Sequence, residues 1–207
     1  MEIERLVVGP LQVNCWLVYD KKTLDAMVVD PGEDADKIIR ALEIKKLKVR
    51  YIVCTHGHFD HVGAVSRLKE KTGAVVVINK NDLGLYSRAK DQAAVWGIAA
   101  ENPAAPDMFV SEGDELSVGG AKFKVILTPG HSPGGICLVG GDVVFTGDTV
   151  FAGSVGRTDF PGGDISALKR SFAVIMSLPS ETGILPGHGE PSTVKHEKEN
   201  NFFMHEL

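Results

Sequence analysis

The stretch that most limits what this chain can become is Thr55-His56-Gly57-His58-Phe59-Asp60-His61, which packs three imidazoles and a carboxylate into six consecutive residues. An apolar run, Tyr51-Ile52-Val53-Cys54, precedes it, and Val62 to Leu68 reads as the opening of a helix. The cluster therefore falls where a buried strand gives way to a helix. There, α/β proteins present side chains from a rigidly held loop. Imidazole nitrogen and carboxylate oxygen are ligands for Zn²⁺, Fe or Mn²⁺. In extended chain, residues two apart face the same way, so His56 and His58 can meet at one ion. Asp60 and His61 follow after the loop turns and can serve a second. A solvated His-rich loop is the alternative. It is disfavoured because complementary donors recur elsewhere in a chain with only seven histidines.

Three further loops have the same construction. Thr128-Pro129-Gly130-His131-Ser132-Pro133-Gly134 follows the apolar run Lys122 to Leu127, Gly147-Asp148-Thr149 follows Val143 to Thr146, and Pro186-Gly187-His188-Gly189 follows Ile184-Leu185. Each time a strand ends, a glycine lets the chain turn, and one metal-capable side chain appears. Together the loops imply two ions: His56, His58 and His131 for one, Asp60, His61 and His188 for the other, with Asp148 able to bridge. A water shared by two such ions has its pKa lowered from about 16 to roughly 7, giving a nucleophile at neutral pH. His196 and His205, among Lys and Glu residues, read as solvated surface groups.

The rest of the pattern frames these loops. Strands are expected at 2–8, 13–19, 26–29, 49–54, 74–78, 116–118, 122–127, 136–139, 143–146 and 184–185, with Gly119-Gly120 and Gly140-Gly141 as two-residue hairpin turns. Helices are expected at 34–46, 62–71, 81–89, 164–178 and 193–205, with Asp164 as an N-cap. Strands, a helix and a ligand loop, then the same again, suggest two similar halves in one domain. Residues 79–108 show no steady period and read either as a lid over the site or as a packed structural loop.

Composition narrows the function. At 207 residues the chain can bury a full core. Its net charge of -5, with no basic run, disfavours nucleic acid or an anionic membrane as partner. No apolar segment has transmembrane length, and the charged Met1-Glu2-Ile3-Glu4-Arg5 does not resemble a signal peptide, so a cytoplasmic location is expected. Cys15, Cys54 and Cys137 are unspaced and odd in number, and read as small buried hydrophobes. Nothing in the sequence sets the oligomeric state.

His56-x-His58-x-Asp60-His61, followed in order by His131, Asp148 and His188, resembles the metallo-β-lactamase superfamily over nearly the whole chain. Within it, Leu11-Gln12-Val13-Asn14-Cys15, Asp30-Pro31-Gly32, the Thr128 to Gly134 loop and Gly147 to Phe151 are similar to the short, bacterial-type branch of the glyoxalase II group. The resemblance implies a four-layer αβ/βα sandwich of the α/β class, and two divalent ions, zinc above all, with iron or manganese as alternatives. The implied reaction is hydrolysis of a small-molecule S-acyl thioester by a hydroxide shared between the ions, with Asp60 both binding metal and orienting the nucleophile. Where that group carries a lysine and a tyrosine for glutathione, this chain has Gly156-Arg157-Thr158-Asp159-Phe160. Arg157 can replace the lysine as a carboxylate clamp, or pair with Asp159 instead; Asp159 offers no aromatic hydroxyl. The same five residues also resemble persulfide dioxygenases of the superfamily, which use one iron held at positions matching His56, His131 and Asp148. The His188 loop favours the hydrolases, and lactonases are a further alternative.

Overall fold

The computed structural model describes Met1–Leu207. Period-two patterning with both faces apolar builds its first sheet: β1 (Glu2–Val8), β2 (Val13–Tyr19), β3 (Asp25–Val29), β4 (Lys48–Val53), β5 (Val75–Asn79) and β6 (Met108–Val110), in that spatial order. The first three strands are antiparallel, and β3 to β6 run parallel. In β2, Cys15 and Leu17 face one side and Trp16 and Val18 the other, all buried, as a sheet covered on both faces requires. The second sheet holds β7 (Glu115–Val118), β8 (Ala121–Leu127), β9 (Ile136–Gly140), β10 (Val143–Gly147), β11 (Gly183–Pro186) and β12 (Ser192–Thr193) as neighbours in sequence order.

Helices cover the outer faces. These are α1 (Ala35–Ile44), α2 (Phe59–Val62), α3 (Val65–Thr72), α4 (Leu83–Tyr86) and α5 (Ala89–Val95) in the first half, and α6 (Ile165–Met176) and α7 (Val194–Asn200) in the second. Three apolar clusters fill the three spaces between layers. Ile38, Leu42, Val65 and Leu68 pack on the outer face of the first sheet. Val18, Met27, Val53, Val77, Phe123, Val125, Leu138 and Phe145 fill the space between the sheets. Leu168, Phe172 and Ile175 pack on the outer face of the second. Three interlayer cores define four layers, the expected αβ/βα sandwich. Each half repeats one unit, a strand, a helix and a parallel strand: β3–α1–β4 and β10–α6–β11. Asp164 caps α6, its carboxylate accepting from the backbone N–H groups of Ser166 and Ala167, a contact worth about 1 kcal/mol.

Several expected boundaries shift. The helix expected at 62–71 begins only at Val65, after the short α2, because the Ala64 N–H donates to the Pro31 carbonyl at 2.9 Å; the crossing Gly32 carbonyl also leaves no room for a Cβ at Gly63. Residues 81–89 form a 3-10 turn (Lys80–Asp82) and α4, with α5 beginning only at Ala89. The closing helix ends at Asn200 and continues as a 3-10 turn. The second hairpin turns on Gly141-Asp142, since Gly140 pairs with Val143 inside the ladder. The ring of Phe123 lies against Gly140, so no side chain fits at that strand position. No helix is long and apolar enough to cross a membrane.

Candidate metal centre

The ends of β3, β4, β8, β10 and β11 converge, and their loops bring all seven expected donors to one place. Donor atoms of His56, His58 and His131 lie within 4.8 Å of one another, as do those of Asp60, His61 and His188. His58 Nδ1 and His131 Nε2 are 2.8 Å apart, and the Nε2 atoms of His61 and His188 are 3.2 Å apart. Asp148 sits between the two sets. Its Oδ1 is 3.4 Å from His61 Nε2, and its Oδ2 is 3.5 Å from His131 Nε2 and 3.7 Å from His188 Nε2. Asp60 Oδ2 is 3.4 Å from His188 Nε2 and 3.6 Å from His61 Nε2.

The donors fit a pair of divalent cations. His56 Nε2 and Asp148 Oδ1 are buried with no hydrogen-bond partner. An unsatisfied buried acceptor costs about 1–3 kcal/mol, which a cation among these atoms would offset. The outward-facing nitrogens are spoken for, and that fixes the tautomers. His131 Nδ1 donates to the Arg157 carbonyl at 2.7 Å and His188 Nδ1 to the Leu11 carbonyl at 3.1 Å, since a carbonyl only accepts. Asp30 orients two more. Its carboxylate lies 3.1 Å from His61 Nδ1 and accepts the Thr55 hydroxyl at 2.7 Å. With its own proton committed to Asp30, the Thr55 oxygen accepts from His56 Nδ1 at 3.1 Å. Nε2 of His56, His131 and His188 is thereby left facing the cluster, as metal-binding histidines require, while His61 Nδ1 lies against the Asp30 carboxylate without an aligned hydrogen bond.

Other residues hold the loops rather than the ions. Asp82, fully buried, accepts from Gly57 N, Ser132 Oγ and Gly134 N, tying the His56–His61 loop to the His131 loop. Asn14 on β2 donates to the carbonyls of Pro186 at 3.0 Å and Gly189 at 2.8 Å, so the first sheet grips the His188 loop of the second. Gly187 is required by close approach: a Cβ would lie 2.3 Å from Asp148 Oδ1. Asp30 and Asn14 stand in motifs visible in the sequence, but their roles are not. Asp82 carries no sequence signal, because its partners are two backbone N–H groups and one serine hydroxyl of distant loops.

The metallo-beta-lactamase superfamily profile matches residues 8–188. The chain belongs to the metallo-β-lactamase superfamily. It is 36% identical to the hydroxyacylglutathione hydrolase GloC of Haemophilus influenzae, over 99% of this chain and 98% of that one. Three crystal structures are similar. The B3 metallo-β-lactamase BLEG-1 has a TM-score of 0.92 and 31% identity over 98% and 99% of the two chains. The di-iron form of TTHA1623 has a TM-score of 0.89 and 39% identity over 97% and 99%. ETHE1 of Myxococcus xanthus has a TM-score of 0.83 and 31% identity over 98% and 84%. The chain is a metallo-hydrolase of this superfamily.

Charge in this metallo-β-lactamase centre is unevenly held. Burial, reinforced by the neighbouring imidazoles, pushes His56 well below the ordinary histidine range and His58 down to about 4. Burial also disfavours a charged His61, yet the carboxylates of Asp148, Asp60 and Asp30 more than offset this and raise it to about 10. Asp60, which burial alone would raise, is held well below the carboxylate range by His61 and His188. The ion-free centre thus keeps its proton on the Asp60–His61–His188 side.

Above the cluster opens a cleft of about 790 Å³ with Asp60 and Asp148 on its floor. Arg157 lies on its wall but is already engaged. Its guanidinium pairs with Asp159 at 2.5 Å and 2.6 Å and stacks 4.0 Å over the Phe160 ring. Residues 79–108 form a packed wall of the cleft rather than a detached flap. Tyr86 is buried and donates to the Ala104 carbonyl, and α5 presents Val95 and Trp96 to the opening.

Proposed function

We propose that this protein hydrolyses S-acyl thioesters of small thiols with two divalent ions held by His56, His58 and His131 and by Asp60, His61 and His188, with Asp148 shared. The observation that carries the reading is the second donor set. It is complete, braced from outside by Asp30 and Asn14, and opens on the cleft through Asp60 and His188. Ions bound there would supply a water activated at neutral pH and a charge beside the carbonyl. Asp60 would orient that water; the water's oxygen adds to the acyl carbon, the C–S bond breaks, and the water's proton passes to the departing thiolate. The products are a carboxylic acid and a thiol. Arg157, half exposed on the wall, would bind an anionic group of the substrate on leaving its pair with Asp159. The 36% identity to a hydroxyacylglutathione hydrolase supports the thioester class.

Thiol release from S-lactoylglutathione by the metal-replete protein tests the reading; measurable turnover is expected. No turnover from protein carrying two ions would remove this substrate. Oxygen consumption with glutathione persulfide, by protein carrying one iron, would replace the hydrolase reading with the dioxygenase one, which leaves the His61–His188 set without a task.

A further inference from the structure

Two aromatic walls rise from the ligand cluster, one from each donor set. Phe160 stands edge-on to His58 at 5.9 Å, and Trp96 edge-on to Phe160 at 6.2 Å. Opposite, Phe151 meets the His188 ring edge-on at 6.0 Å. The first wall is the longer and is held ready. Arg157, also on the cleft wall, stacks on Phe160 and is paired with Asp159. At its outer end Trp96 is 49% and Val95 86% exposed. Large apolar side chains left open at the mouth of a cleft mark a binding surface. Phe160 is the first ring out from His58 and Trp96 the second, so a short group over the cluster can reach only the first and a longer one can reach both.

We propose that the substrates carry an apolar group of about six carbons or more beside the scissile thioester, seated against Phe160 and Trp96. This rests on the thioesterase reading and names the substrate class within it.

The test uses the metal-replete protein and two series. One varies the acyl chain from acetyl to octanoyl on N-acetylcysteamine; the other keeps acetyl and varies an alkyl thiol from ethyl to octyl. The expected result is a kcat/KM that rises about fourfold per methylene until the wall is covered. Whichever series shows the rise identifies the side that bears the apolar group. Trp96→Ala should cut the hexanoyl-to-acetyl ratio (or the corresponding thiol ratio) at least tenfold, and Trp96→Phe should largely keep it. Binding is read separately by Trp96 fluorescence with the uncleavable S-octyl thioether of N-acetylcysteamine, using Trp96→Phe to subtract buried Trp16. Flat rates in both series, with short thioesters cleaved, would overturn the proposal and leave the thioesterase reading standing. Thioether binding at Trp96 without cleavage of any thioester would do the reverse, sparing the apolar subsite and removing the reaction.

Discussion

Asp148 is the residue on which the pair of ions turns. Its two oxygens reach toward His61 on one side and His131 and His188 on the other. Asp148→Ala is expected to lower occupancy of both ions, and elemental analysis that still finds two would remove its bridging role. Asp30 acts one step back. Asp30→Ala frees His61 Nδ1 and the Thr55 hydroxyl together. Affinity should fall about 10–100-fold, measured by chelator competition. Arg157 can grip a substrate anion only by leaving Asp159. Asp159→Asn should therefore lower KM for an anionic thioester and leave kcat nearly unchanged; an unchanged KM would show that the arginine serves Phe160 instead. At this scale the donors were legible and their supports were not. A histidine two residues from another at a strand end declares itself. Asp82 does not, because it is chosen for the two backbone N–H groups it accepts, from loops 25 and 52 residues away.

Among elements, β2 does more than fill the sheet. Through Asn14 it fixes the loop after β11, and the two carbonyls it satisfies have a nearly fully buried partner in that amide. Asn14→Ala should cost only about 1 kcal/mol of stability, because Trp16 Nε1 still donates to the Pro186 carbonyl and Arg5 to that of Gly189. It should also release the ion on the His188 side first, so that titration with a chelator finds one tight ion and one weak ion in place of two tight ones. The longer elements were readable from periodicity because both faces of each inner strand are apolar. The short ones were not: β6 has 3 residues and β12 has 2, too few for any period. The break between α2 and α3 was equally hidden, since its cause is a neighbouring backbone rather than a local preference.

For the molecule as a whole, the buried charges set a pH window. In metal-stripped protein His61 is raised to about 10, so its contribution is full below pH 6.5 and fades as pH climbs toward 10. His58 is depressed to about 4, so its contribution is full above pH 6.5 and fades as pH falls toward 4. Thermal midpoints of the stripped protein should therefore decline on both sides of about pH 6.5. Loading with metal at neutral pH should expel the His61 proton, which a pH-stat would register; loading without proton release would contradict the raised value.

The two halves divide the donors unequally. The first half, through β6, owns His56, His58, Asp60 and His61; the second owns His131, Asp148 and His188. Each of the two proposed ion sites takes two donors from the first half and one from the second, although Asp30, His56 and His61 form a third close trio within the first half alone. Ions held at those two sites would thus be sutures across the seam between the halves, tying the two sheets together at the same edge that opens to the cleft.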